Sequence, residues 1–486
     1  MGAINARLRS GAKAALRLAL ARLPQERVEL PPSLWRLARD EAGYLCLDRV
    51  RLADLIARFG SPLFVIDAAR LAQNAAEFSR VPSGAAAGVE CYYSYKTNPI
   101  PAALSRLHDS GVGAEVISEF ELWLAQRLGV PGPRIVLNGP GRTMHALKSA
   151  VELGALIHIN HREEIAPLAE IARAAGKACR VGVRVVTSRG WGGQFGESIA
   201  GGSALACYRE LAQRPEFEVC SLHTHVGGEI ADAAALRAVL RELLDFYGVL
   251  RTQLGLAIEI VDFGGSLVCP TTSHPSERAQ RLNRALGIEL QPRPPEQVLT
   301  IGEYVRELVQ GVEARCRGEG WPRPRIFAEP GRALTGNAQL LLCSVTGLKQ
   351  SGAASLPHAI LDAGINIAEP LRNEYHAIFV AGPESTARAA YRLVGPICTP
   401  MDTLAWSRSL PALQSGSVLC IADAGAYFVP FSTSFSFAQP AAVMVEGSDT
   451  KLVRRAERFE DLVRRDAARA LQAETATRIV GTSDPT

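Results

Sequence analysis

Eight short runs rich in Val, Ile and Tyr, each followed by a stretch of helical period, occupy residues 89–332 and constrain the chain more than any other feature. They read VECYYSYK (89–96), GAEVIS (113–118), RIVLNGP (134–140), LIHINH (156–161), RVGVRVV (180–186), VCSLHTHVG (219–227), IEIVDFGGS (258–266) and RIFAEPGR (325–332). Between them, stretches such as SEFELWLAQRLG and REEIAPLAEIARAAG place apolar residues three and four apart, as a helix with one buried face does. Parallel strands need crossovers of helix length, so strand and helix alternating eight times is the grammar of an α/β chain folded as a (β/α)8 barrel. An open doubly wound sheet is the competing arrangement. The Pro- and Arg-rich segment 267–324, before the last run, reads as a surface excursion.

The texture changes after residue 335. LLLCSVTGLKQ, HAILDAG, AARAAYRLVGPIC and SVLCIADAGAY are strand-like with no helical units between them, which predicts a separate β-domain over 335–445. Residues 44–66, which hold YLCLDRVRL and nearly all of SPLFVID, are expected to join that domain before the chain enters a barrel spanning 67–334. Residues 446–486 read as a charged helix and a loose tail. Residues 1–43 form an extension whose first 23 residues carry five basic groups and no acid. It reads as a surface or partner-facing helix, with a transit-like or membrane-surface helix as the alternative; Arg17 and Arg22 interrupt the apolar core that export would need.

A formal charge of +4 over 486 residues, with no basic stripe interleaved with aromatics, argues against a nucleic-acid partner. The longest apolar runs are too short to span a bilayer. Ten cysteines stand singly with no CxxC pair, which suits a reducing cytoplasm and disfavours a zinc site or a disulfide framework, so no metal is expected.

In such barrels chemistry gathers at the C-terminal strand ends, and the loops after strands seven and eight often hold phosphate. The first strand ends in Lys96, and the sixth in His223 and His225 followed by two glycines. The seventh ends in Gly264-Gly265-Ser266, and the eighth in Glu329-Pro330-Gly331-Arg332. Singly, each has an ordinary reading: a snorkelling lysine, a core histidine, a tight turn. Together they suit one ligand. The amine can form an imine with an aldehyde, and the glycine turn and Arg332 can hold a phosphate. Glu329 can keep a ring nitrogen protonated, and His225 can stack on a flat ring. Pyridoxal 5'-phosphate uses all of these.

The same segments resemble the fold-type III decarboxylases of diaminopimelate, ornithine and arginine, built on the alanine-racemase-like barrel, over roughly residues 44–465. YSYKTNP resembles their Schiff-base segment, which points to Lys96. HTHVGG resembles the stacking-histidine motif at His225. DFGGS and EPGR resemble the phosphate-loop and pyridine-partner motifs, at Gly264, Gly265, Glu329, Gly331 and Arg332. VGPICTPMD resembles the segment of the proton-donating cysteine, here Cys398, and DAGAYFVPFSTSFSF that of a tyrosine touching cofactor and substrate, here Tyr427. The resemblance implies a TIM-type barrel with a C-terminal β-domain, and a homodimer whose cysteine segment reaches into the partner's site. It also implies α-decarboxylation of an L- or meso-amino acid, with Lys96, His225 and Cys398 as catalytic residues and Cys398 returning a proton to Cα.

The substrate-reading positions depart from that pattern. Diaminopimelate decarboxylases carry Arg-Pro-x-x-Tyr after the DAG segment and a glutamate after the cysteine. Here IAEPLRNEYH supplies Glu369 and Arg372, and Thr399 follows Cys398, where ornithine decarboxylase has an aspartate. Substrate contacts are therefore expected from Arg332, Glu369, Arg372, Thr399 and Tyr427, with Glu369 taking a distal cation and Arg372 a distal carboxylate. The expected substrate is a modified or conjugated diamino acid of a siderophore-like or other secondary pathway, with diaminopimelate as the alternative. A racemase would pair an arginine with the ring nitrogen in place of Glu329. A non-catalytic regulator would have lost Lys96, the phosphate loop or Cys398.

Overall fold

The eight runs become eight parallel strands: β1 (Val89–Ser94), β2 (Gly113–Val116), β3 (Ile135–Leu137), β4 (Leu156–Ile159), β5 (Cys179–Val186), β6 (Phe217–Thr224), β7 (Ile260–Asp262) and β8 (Arg325–Ala328). Each pairs with the next, and β8 pairs with β1, so the sheet closes on itself and the open alternative is excluded. The computed structural model describes residues 28–227, 230–350 and 355–466, and the basic stretch 1–23 and the tail after 466 lie outside them.

Side chains alternate across a strand, and that period of two sorts the barrel interior into layers. One layer is apolar: Tyr92, Val136, Leu156, Cys220, Ile260 and Phe327 form a closed cluster, with the rings of Tyr92 and Phe327 4.5 Å apart. Gly113 belongs there because a Cβ would lie 2.5 Å from the Tyr92 ring. Two residues further along the strands the buried positions are polar: Ser94, Glu115, Asn138, His158, Asp262 and Glu329, joined by His223. The other strand face packs under the helices. The two longest, Ala233–Leu254 and Ile301–Glu319, are capped by Asp232 and Thr300 and closed by Gly255 and Gly320 in the left-handed region.

The segment 267–324 is more than a surface excursion. Its last part is the crossover helix Ile301–Glu319, and its first residues, Leu267 and Val268, line the barrel mouth with His274.

The second domain is a nine-stranded sheet centred on Gln339–Lys349. The first half of that strand pairs with Leu63–Asp67 and Val418–Ile421, and beyond a bulge at Val345/Gly347 it pairs with His358–Leu361. The strand of SPLFVID pairs within the nine-stranded sheet, whereas YLCLDRVRL folds back on Leu37–Arg39 as a separate three-stranded sheet. That small sheet packs Trp35, Leu45 and Leu47 against Leu63, Leu340 and Leu342. Two short helical turns, Ile365–Ala368 and Glu369–Arg372, interrupt the strands where no helix was expected.

The C-terminal expectation of a charged helix from 446 needs correction. Asp449–Arg454 is a strand hairpinned onto Ala441–Glu446 through Gly447-Ser448, and among the described residues of this segment the helix spans Phe459–Val463. A two-residue loop with Gly447 at φ 63° is a hairpin signal that outweighs the charge pattern. Among the described residues no helix is long and apolar enough to cross a membrane.

Candidate active site

The polar layer floors a cavity of about 400 Å³ at the C-terminal end of the barrel, whose walls include Lys96, Thr97, His225, Gly265, Glu329, Gly331, Arg332 and Tyr427. Strand β1 gives way to a single turn, Tyr95–Thr97, before Asn98-Pro99, since proline donates no ladder hydrogen bond. Asn98 Nδ2 donates to Gln339 Oε1 at 2.9 Å and so pins this turn to the β-domain. The turn aims Lys96 into the cavity, with Nζ 3.1 Å from Glu115 Oε2. Burial pulls the Lys96 pKa down, but Glu115 and the other acidic groups outweigh it and hold the ammonium above its ordinary value.

Glu115 starts a buried network. It accepts from Ser94 Oγ and, at 3.1 Å, from Asn138 Nδ2, which also donates to Glu329 Oε1 at 2.7 Å. Asn138 Oδ1 in turn accepts from His158 Nδ1 at 2.8 Å, leaving His158 Nε2 to accept from Ser221 Oγ at 2.9 Å. His158, His223 and Glu329 offer three close potential metal ligands, but both His158 nitrogens are already engaged. His223 stacks on His158 at 4.4 Å, with Nε2 3.3 Å from Glu329. Fully buried Asp262 lies beside Glu329. Burial first, and then the Glu329 charge, keep its proton on to a pH well above the ordinary carboxyl range.

Opposite, Gly265 N donates to His225 Nδ1 at 3.1 Å, so this nitrogen carries the lone pair. Burial, then the charges of Lys96 and Arg184, hold His225 well below the ordinary histidine value, which leaves a neutral flat ring. The wall beside it is backbone. A Cβ on Gly264 would sit 2.6 Å from Thr224 O, one on Gly265 2.8 Å from Glu329 O, and one on Gly331 2.0 Å from Thr97 Oγ1. Ser266, at φ 77°, has a buried Oγ with no hydrogen-bond partner among the described residues, as does Thr97 Oγ1. Buried hydroxyls left unsatisfied in a low glycine wall call for an acceptor-rich ligand. The residues present therefore fit a phosphate-bearing ring with an aldehyde, pyridoxal phosphate.

At the remaining wall Arg332 donates through both terminal nitrogens to Glu374, each at 2.7 Å, with its guanidinium 5.2 Å from the Tyr427 ring centre. Tyr427 holds a left-handed backbone, φ 68°, and donates its N–H to Thr97 O at 2.9 Å.

The cavity thus brings together Lys96, His225, Gly265, Glu329, Gly331, Arg332 and Tyr427, with Gly264 one residue behind its wall. It does not bring in four others. Glu369, half-buried, and Arg372, exposed, lie on one turn, 3.8 Å from each other. Arg372 faces a second cavity of about 270 Å³. Cys398 is exposed, the other nine cysteines being buried, and neither it nor Thr399 lines the first cavity. Sequence reasoning passed over Glu115, Asn138, His158 and Asp262, whose signal was a polar residue at an inward position of an apolar strand. Glu374 gave no such signal.

The family model described as the pyridoxal binding domain of pyridoxal-dependent decarboxylases matches residues 72–336. The diaminopimelate decarboxylase of Zymomonas mobilis is 30% identical over 87% of this chain and 96% of its own length. That of Aquifex aeolicus is 29% identical over 87% and 95%. A crystal structure from Aquifex aeolicus superposes with a TM-score of 0.74 at 28% identity, covering 88% of this chain and 96% of that one. The diaminopimelate decarboxylase of M. jannaschii shares the fold, with a TM-score of 0.78 at 22% identity over 89% and 97%.

Proposed function

Because this chain belongs to the pyridoxal-dependent decarboxylases, and so is a carboxy-lyase that works with pyridoxal phosphate, we propose that it decarboxylates diaminopimelate to lysine. The observation that carries the substrate is the 30% identity to a diaminopimelate decarboxylase across 96% of that relative's length. The expected conjugated diamino acid of a secondary pathway rested on Glu369, Arg372 and Thr399. Within one chain none of the three lines the cavity, and Thr399, next to Cys398, would meet a substrate only in the site of a second subunit.

Lys96 offers the amine for the cofactor's aldehyde, and Glu115 sets its charge. Glu329, oriented by Asn138 and backed by proton-bearing Asp262, would hold the ring nitrogen and keep it protonated. Neutral His225 would stack on the ring, and Gly264, Gly265, Ser266 and Gly331 would hold the phosphate. Bound there, the protonated ring supplies an electron sink for the pair left by departing CO2. Arg332 and Tyr427 receive the substrate. Exposed Cys398 supplies the proton to Cα in the site of a second subunit, so the working form is a homodimer, in the cytoplasm.

CO2 release from the purified holoenzyme, tested with diaminopimelate, ornithine, lysine, arginine and an N-acylated diamino acid, decides the reading. Diaminopimelate should exceed the others in kcat/KM by at least about tenfold, with lysine as product. A higher value on the acylated compound would overturn the proposal.

A further inference from the structure

The Arg332 guanidinium is the cavity's ready-made carboxylate reader, yet both its terminal nitrogens are committed to Glu374 at 2.7 Å. Glu374 is nearly buried and has two further partners. His274 Nε2 lies 3.3 Å from Oε1, and His376 Nε2 lies 3.1 Å from Oε2. His376 is itself fixed through Nδ1 on Ala422 O at 2.9 Å. Burial pushes the Glu374 carboxyl up, but His274, His376 and Arg332 outweigh it and keep it ionised far below the ordinary carboxylate range. A permanent anion thus stands behind a permanent cation, and the fork of Arg332 is held end-on with only its side edge left for a ligand.

Resting on the diaminopimelate reading, we propose that Glu374 is a positioning residue that compensates the charge of Arg332 and so selects substrates whose far end carries no net charge. A far end bearing ammonium and carboxylate together meets a matched dipole. A bare carboxylate meets Arg332 with its charge already compensated and Glu374 close behind. A bare ammonium meets the guanidinium with no free carboxylate to receive it. Specificity then comes from a repulsive element as much as from an attractive one.

The test compares wild-type holoenzyme with E374Q and E374A on diaminopimelate, α-aminopimelate (bare far carboxylate) and lysine (bare far ammonium). In both variants α-aminopimelate should gain on diaminopimelate in kcat/KM on the order of tenfold, mainly through tighter substrate binding, with the visible absorbance of bound cofactor unchanged. A ratio unchanged within about twofold, or moved toward lysine, overturns the proposal. So does loss of cofactor without a change in ratio, which would assign Glu374 to the cofactor instead. If none of the three compounds releases CO2, the substrate reading has failed, and calorimetric binding of adipate and cadaverine to the holoenzymes still decides the role of Glu374. Adipate should bind the variants more tightly than the wild type, and equal or weaker binding sinks the proposal.

Discussion

At the scale of single residues, the site is a set of opposed charges whose order can be tested. Glu115 Oε2 lies 3.1 Å from Lys96 Nζ, and its charge favours the ammonium form. Removing that charge should release the Lys96 proton at lower pH. In E115Q apoenzyme the pH profile of amine acylation at Lys96, read by mass spectrometry, should move down by about one pH unit or more. An unmoved profile would mean that Glu115 is not the group that sets the lysine. K96A should lose the cofactor's visible absorbance and about 10²–10⁴-fold or more of the rate of CO2 release. These partners show how far single residues can be read from a sequence. Lys96, Glu329 and Arg332 stand in local motifs, so their chemistry shows in a few neighbouring letters. Glu115 and Asn138 act only because neighbouring strands bring them together, and the letters around them are those of any buried strand.

At the scale of elements, turns and caps decide where those residues point. The chain between Glu329 and Arg332 approaches Thr97 so closely that a Cβ on Gly331 would lie 2.0 Å from Thr97 Oγ1. G331A should therefore cost about 1–3 kcal/mol in urea unfolding and weaken cofactor retention. Full stability with normal cofactor content would show that the turn yields easily. The helix Glu119–Arg127 carries a second test. Ser118 caps it, and buried Glu121 accepts the Ile117 N–H at 2.8 Å. Burial, then the nearby Glu115 charge, push the Glu121 carboxyl up to about 7. Between the ordinary carboxyl range and pH 7 the native state keeps this proton while the unfolded chain has released it. The contribution is thus fully present at low pH and lost as pH rises through about 7, on the order of 3–4 kcal/mol. E121Q should flatten that decline in stability between pH 5 and about 8, and an unchanged slope would place the titration elsewhere.

At the scale of the whole molecule, the decisive prediction concerns whether two subunits share a site. K96A and C398A homodimers should each be nearly inactive. Refolded together at equal amounts, they should recover about a quarter of wild-type activity, because half the dimers are mixed and each mixed dimer has one intact site. No recovery would mean that each chain uses its own cysteine. The sequence by itself determined the barrel, the sheet domain after it and the cofactor. Each of these is written in periodicity or in short contiguous motifs, where the physics is local. Only the tertiary structure decided which polar side chains share the floor beneath Lys96, that the C-terminal segment turns back as a strand, and that Arg332 is already paired with Glu374. Those facts depend on which residues a closed sheet brings within a few ångströms across hundreds of positions, and no local pattern encodes that distance.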